Sequence, residues 1–418
     1  MKDKNKPPQP PEVSNAFRRK FLQAGAALGG LALLGHSGTS AAAQKTMELP
    51  MANGKRVLAT YPQKRELIVM TERPVQLETP FHIFNDGVYT PNDAFFVRWH
   101  LAGVPTSVDG DAFRINVHGL VKQPLSLSVA DLKSNYEAVE ITAVCQCSGN
   151  SRGLFNPRVP GGEWANGAMG NALWKGVRLS DILNKSGIAP DAVQVRFNGA
   201  ERPVLSTTPD FIKALDMDVA LGEDVIVAYS MNNEPLPLLN GFPVRLVVPG
   251  WYGTYWVKML DDIEVIGSVD QNFWMAKAYR IPGNDCACME PGEQGVKMVP
   301  INRMDVRSFI TSLADGNRVK GGHGYEVKGI AFDGGHGIAR VLFTIDGGAN
   351  WTQAALGKNY GKYSFREWRA TFTPKAGQNY KLACLAINNI GESQRFEPRW
   401  NPAGYMRNVV ETINISAT

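Results

Sequence analysis

Val144-Cys-Gln-Cys-Ser-Gly-Asn-Ser-Arg152 sets two cysteines one residue apart, follows them with small polar residues and ends on an arginine. A disulfide, a metal pair and a single soft ligand are the three readings of such a stretch. It is the end of "AVEITAVCQC", whose apolar, β-branched texture predicts a buried strand running into a loop. At that strand end Cys145 and Cys147 are expected to point to opposite faces. That argues against a mutual disulfide and against one ion held by both. Neither cysteine pair of the chain has the two-to-four residue gap of a zinc site, and no Cys-x-x-Cys-His haem attachment motif occurs. The remaining reading is one thiolate at a strand end, a soft ligand for a redox-active metal, with Ser148-Gly149 as a tight loop and Arg152 as a fixed cation.

Outward from this point, "FRINVHGLV", "AVQVRFNG" and "PVRLVVPGWYGTYWVKMLDDIEVI" read as strands. "LSVADLKSNY", with Ser128 as N-cap, and "VRLSDILNKSGI", stopped at Gly187, read as short helices. Mixed short elements of this kind predict an α+β domain over residues 95–280. Residues 44–94, punctuated by Pro50, Pro62, Pro74, Pro80 and Pro91, read as an irregular arm wrapped over that domain. Residues 281–300, rich in Gly and Pro, read as a linker holding Cys286 and Cys288, for which a Cys-Ala-Cys disulfide, two free thiols and a metal site are all open and free or simply structural cysteines are favoured. From 301 to 418 strands separated by turn signals such as Asp-Gly-Gly predict an immunoglobulin-like β-sandwich, with Cys384 as a small core residue.

The chain has 418 residues, 44% hydrophobic and 20% charged, enough for two or three domains with sizeable cores. Its net charge of +5 resides mostly in residues 1–43, which carry six Lys/Arg and two acids. The rest lies within one charge of neutrality, which excludes a global basic field for nucleic acid. Residues 1–43 place Arg18-Arg19 before a short Gly/Ala/Leu run and Ala41-Ala42-Ala43, the form of a twin-arginine export signal. The run is too short for a membrane span, and no later window reaches that length, so the mature chain is expected to be soluble and periplasmic.

"QCSGNSR" resembles the molybdenum-ligating motif of the sulfite oxidase family, in which a cysteine is followed by Ala/Ser-Gly-Asn and an arginine five positions on. "FFVRWH", "GGEWANGAMGNALWKGVRLSDIL", "NGFPVRLVVPGWYGTYWVKML" and "FWMAKAYRIP" resemble further family segments, in the same order. The resemblance runs from about residue 80 to the end and is strongest to the branch of bacterial sulfite dehydrogenases. It implies a molybdopterin-binding domain, a C-terminal dimerisation domain and one Mo-molybdopterin per chain, without haem in this chain. Cys147 is then the metal ligand, with Arg98, His100, Arg152, Trp164 and Tyr279 as the substrate pocket.

The same carry-over sets Phe96, Val97, Arg98, Trp99 and His100 on the pterin, together with Glu201, Asn240, Arg245, Trp256, Val257 and Lys258. Glu201 and Asn240 replace an Asp and a His of the animal enzymes, and Ala403 stands where those enzymes place a third pocket arginine. His100, when protonated, is expected to supply that charge. The implied reaction is oxidation of sulfite to sulfate by oxygen-atom transfer, with electrons leaving to a c-type cytochrome, as a subunit or a diffusing carrier. Other molybdenum enzymes of the family, a sulfane dehydrogenase subunit or a sulfoxide reductase, share the ligand cysteine. A secreted immunoglobulin-like binding protein with an inert α+β domain is the reading from another class.

Overall fold

A computed structural model describes residues 44–418, and the expected export signal of residues 1–43 lies outside the described residues. Both expected helices are present, but strands dominate, so the α+β expectation is met only in part and the central region is mostly β. The helix Val129–Asn135 starts where expected: Ser128 Oγ accepts from the Asp131 N–H at 3.0 Å, and the Asp131 carboxylate accepts from the Ser128 N–H at 2.9 Å. The helix Leu179–Ser186 stops at Gly187, whose φ of 70° gives the left-handed turn that favours glycine.

Two sheets carry the central region. One runs Lys213–Asp216, Gln194–Gly199, Leu260–Ile266, Ile115–Gly119, Leu125–Leu127, with its third and fourth strands parallel. The other runs Glu234–Pro235, Ile226–Met231, Met169–Arg178, Ala138–Gln146, all antiparallel, with Arg245–Val247 beside Ile226. A large core containing Trp174, Trp256, Phe197 and Ile263 lies under them. The strand Ala138–Gln146 pairs Cys145 with Gly170 and ends with Gln146 opposite Met169, so the cysteine motif straddles the strand end.

The arm departs from expectation. It holds strands Thr46–Glu48, Lys55–Ala59, Leu67–Thr71 and Gln76–Glu78, which with Val97–Arg98 form a five-stranded antiparallel sheet. Its prolines lie outside the strands and end them, instead of preventing them. The linker likewise pairs Arg280–Pro282 with Met298–Pro300, and Cys286 and Cys288 form a disulfide where separate thiols were favoured. Ala287 between them has φ 47°, which turns both sulfurs to one side.

The C-terminal region is a sandwich of two sheets. One has the order Arg307–Ile310, Tyr325–Phe332, Arg366–Phe372, Ala355–Leu356. The other has the order Arg318–Val319, Thr412–Ala417, Asn379–Asn388, Ile338–Thr344, Thr352–Gln353. They enclose Val327, Val341, Trp368, Leu382 and Cys384. This region also grips the central one: the Val144 N–H donates to Tyr363 O at 2.9 Å, and the Met406 N–H to Ser148 O at 3.0 Å.

Lys64 ties the arm to the centre. Its buried ammonium donates to Asn92 O at 2.6 Å, to Phe95 O at 3.0 Å and to Asn240 Oδ1. Burial pushes its pKa down to about 7 from 10.5, with Asp93 opposing. Lys64→Met leaves three acceptors unpaired and should lower unfolding free energy by about 3 kcal/mol in urea titration. The depressed pKa means that the unfolded chain binds the extra proton between about pH 7 and 10.5. Stability therefore climbs with pH across that window, and the Met variant should climb less.

Candidate functional site

The segment after the arm sheet and the cysteine motif face each other across one cavity. Phe95, Phe96, Arg98 and His100 line it from the first, and Cys145, Cys147 and Ser148 from the second. Asn240, Arg245, Gly253, Thr254 and Lys258 close a third side, with Tyr279 on the fourth.

Period-two geometry decides which residues arrive there. Phe96, Arg98 and His100 face the cavity, whereas Val97 and Trp99 face away into a core with Leu67 and Leu77. Those two side chains were expected on the ligand and are structural instead, the Trp99 indole donating to Leu239 O at 3.1 Å. The same rule corrects the cysteines. Positions two apart on an extended strand share a face, so Cys145 and Cys147 both line the cavity, contrary to the opposite-face expectation. Cys145 is not a bystander: its sulfur lies 3.9 Å from an Arg245 Nη, and burial pushes its thiol up to about 11.

The site is a concave set of cations. The Arg98 guanidinium makes no hydrogen bond among the described residues, and its Nη1 is buried without a partner. Arg245, 4% exposed, donates to Asn240 O at 3.0 Å and to Trp256 O at 3.2 Å, leaving Nε unpartnered. Lys258 sits with its ammonium 4.4 Å from the Trp99 ring centroid, and burial lowers its pKa to about 8 against the pull of Glu201. The Ser148 and Thr254 hydroxyls, both on the cavity, are also buried without partners. Buried donors left unpaired in a native fold are costly, and their convergence on one space describes an anionic ligand.

His100 is held from every side. Its ring stacks on Phe211 with centroids 3.4 Å apart, and its Nε2 lies 2.6 Å from the Tyr279 hydroxyl. Burial, then Arg98, Lys258 and Lys213, hold its pKa well below 6.5. The imidazole is therefore neutral, which corrects the expectation that it supplies a positive charge. Glu201 is off the cavity wall. Its carboxylate accepts from the backbone N–H groups of His100 and Leu101 at 3.0 and 2.8 Å, so it shapes the wall from behind.

Trp164, Trp256 and Val257 are also off the wall: all three are buried in the main core. The reason is space, since the cavity is already bounded by Phe95, Phe96 and Tyr279, and the indoles fill the layer beneath. Arg152 stands apart from the lining too. Its Nε donates to Ala403 O at 2.9 Å and its Nη1 to Gly162 O at 3.3 Å. Asn240 does line the cavity, with its amide committed to Lys64 and, at 3.0 Å, to Phe96 O.

Sequence reasoning missed several neighbours. Cys145 and Ser148 were within reach, by correct alternation and by adjacency to Cys147. Thr254 lies inside a strand-rich segment with no local mark. Lys213 carried no local signal: its side chain is fully buried, donates to Trp274 O at 2.8 Å and lies 4.4 Å from the Tyr255 ring centroid and 5.2 Å from that of Tyr279. Tyr405 comes from the far C-terminal segment and stacks on Tyr279.

Residues 100–274 match the model of the oxidoreductase molybdopterin binding domain, and residues 298–417 that of the Mo-co oxidoreductase dimerisation domain. Mitochondrial sulfite oxidase of Macaca fascicularis is 33% identical over 367 residues, covering 84% of this chain and 65% of that protein. The chain thus spans 65% of the length of this mitochondrial relative. Sulfite oxidase of Arabidopsis thaliana is 32% identical over 370 residues, covering 82% of this chain and 92% of its own. Among solved structures, the sulfane dehydrogenase SoxCD from Paracoccus pantotrophus superposes with a TM-score of 0.69 at 25% identity, over 82% of this chain and 84% of the other. With both domain models matched in order and the plant relative covered nearly end to end, the chain belongs to the sulfite oxidase family of molybdopterin-binding oxidoreductases.

Proposed function

We propose that the protein oxidises sulfite to sulfate in the periplasm, at a molybdenum–pyranopterin centre ligated by Cys147, and passes the electrons to a c-type cytochrome. The observation that carries this reading is the cavity where the Cys147 thiol meets unpartnered donors of Arg98, Arg245, Ser148 and Thr254. That donor set fits the group: a thiolate suits a soft metal, and the cations suit a phosphate-bearing pterin. Cys147 would hold the metal. Arg245 and Lys258 would neutralise the phosphate, and the Ser148 and Thr254 hydroxyls would meet polar ring edges, with Asn240 holding the wall through Lys64 and Phe96 O. Such a group supplies two-electron oxygen-atom transfer when bound.

The chain's own residues do the rest. Arg98 is the free guanidinium on the wall and would bind one edge of a small oxyanion as a fork. Arg152, held by two carbonyls, adds positive potential from the adjoining side. Tyr279 and neutral His100 share one proton across 2.6 Å, so the phenol is oriented without adding charge. Phe211 and Trp274 shield the imidazole from water, which strengthens every charge contact nearby.

The twin-arginine form of the leader supports export. The match to the dimerisation domain supports a homodimer. The likeness to sulfane dehydrogenase favours one alternative, a sulfane substrate at the same centre.

The deciding measurement quantifies molybdenum and sulfite-dependent cytochrome c reduction on one exported sample. About one metal per chain with activity is expected, and Cys147→Ser should abolish that activity. Full molybdenum with turnover of a sulfane and none of sulfite selects the alternative, and absence of molybdenum overturns both.

A second expectation concerns pH. Because the depressed pKa keeps His100 uncharged, it gains no proton between about pH 6 and pH 8. The apparent sulfite KM of His100→Gln should follow the same pH curve as wild type, shifted by a constant factor. An inflection near pH 6.5 present only in the wild type would contradict a neutral imidazole.

A further inference from the structure

Three chain segments far apart in sequence meet in one layered stack beside the cavity. The Tyr405 ring lies parallel to that of Tyr279, with centroids 5.3 Å apart and 8° between planes. On Tyr405 also rests the Arg152 guanidinium, its central carbon 5.1 Å from the ring centroid. Tyr279 continues the series through its 2.6 Å bond to His100, whose ring is stacked on Phe211.

Tyr405 is built in firmly. Asn401 accepts from the Tyr405 N–H at 3.1 Å and donates to Tyr405 O at 2.8 Å. The next residue, Met406, is tied to Ser148 O at 3.0 Å, one position from the ligand cysteine. Arg152 lies against the same segment, with Nε on Ala403 O at 2.9 Å. Gly404 is required there: a Cβ on it would sit 2.7 Å from Arg152 Cγ, so the arginine stem runs directly over its backbone. The segment brings a ring and a carbonyl to this point, and no cation of its own at Ala403.

We propose that Tyr405 is a positioning residue for the anion pocket, its ring fixing the Arg152 guanidinium and the Tyr279 phenol against one another. The C-terminal region thereby sets substrate affinity without contributing a charge. A guanidinium shielded from water over an aromatic face is held in one orientation, whereas a free arginine side chain samples many. Loss of the plate leaves Arg152 held only by the Ala403 and Gly162 carbonyls, so the guanidinium face is free to tilt while Cys147 stays in place. This inference rests on the sulfite reading for its kinetic assay, and on anion binding alone for its second.

The test compares Tyr405→Leu, which removes the aromatic plate, with Tyr405→Phe, which keeps it, in the full-length exported protein with molybdenum counted. The leucine variant should raise the sulfite KM about tenfold with kcat within about twofold, and the phenylalanine variant should stay within about twofold on both. Sulfate binding, measured by calorimetry without turnover, should weaken by the same factor in the leucine variant only. Should the leucine protein not fold, Tyr405→Met serves in its place. An unchanged KM and sulfate affinity, or losses confined to melting temperature and metal content, would reduce Tyr405 to a packing residue and overturn the proposal. If the wild type binds sulfate and fails to oxidise sulfite, the substrate reading fails, and the calorimetric comparison still decides the role of Tyr405.

Discussion

Positive charge held out of water around one cavity is the constraint on which the rest of this structure depends. Arg98, Arg245 and Lys258 converge there, with Lys213 behind, and Glu201 is the carboxylate that opposes Lys258. Desolvating several cations with so little compensation is unfavourable, and a fold tolerates it only when packing elsewhere over-determines each position. Here aromatic faces do much of that holding: Trp174 and Trp256 under Arg245, Trp99 under Lys258, Tyr255 under Lys213. The four fully buried tryptophans of the central region, Trp99, Trp164, Trp174 and Trp256, are thus less a ligand-binding set than the floor on which that set stands.

The two large regions do not divide labour between chemistry and assembly. The second inserts Arg307, 1% exposed, whose two Nη groups each donate to Ser151 Oγ at 3.1 Å. Ser151 has φ 69°, a conformation that needs support in a non-glycine residue, and it directly precedes Arg152. Glu411 meets both Arg307 and Arg407, and Arg407 reaches Leu154 O at 3.4 Å. The loop after Cys147 is therefore shaped from outside its own domain.

Much of this was legible in the sequence, for reasons that differ by residue. Strand texture announced Ala138–Gln146 and most of the sandwich, and capping chemistry announced both longer helices. Motif order singled out Cys147, Arg98, Arg245, Lys258 and Tyr279, each of which lies near or on the cavity. Errors arose where a neighbour in space, not in sequence, decides. Counting two positions as a change of face separated Cys145 from Cys147. Prolines concealed the arm sheet because a meander needs only short strands between them. His100 reads as a cation until Phe211 and three positive neighbours surround it, and of these only Arg98 is near it in the chain. Lys213 and Tyr405 are placed by tertiary packing alone, which leaves no periodic trace.

The two ends of the described chain both reach this site: Lys64 fixes Asn240 from the arm, and Met406 grips Ser148 from the last segment. A ribosome delivers these residues at nearly opposite times. Until the final segment emerges, the wall bearing Cys147 lacks its bond at Ser148 O and Arg152 lacks its Ala403 and Tyr405 contacts. Contacts of such long sequence separation close late, because loop entropy must be overcome first. A pocket completed only by the last part of the chain is a timing device: insertion of a large prosthetic group has to follow synthesis.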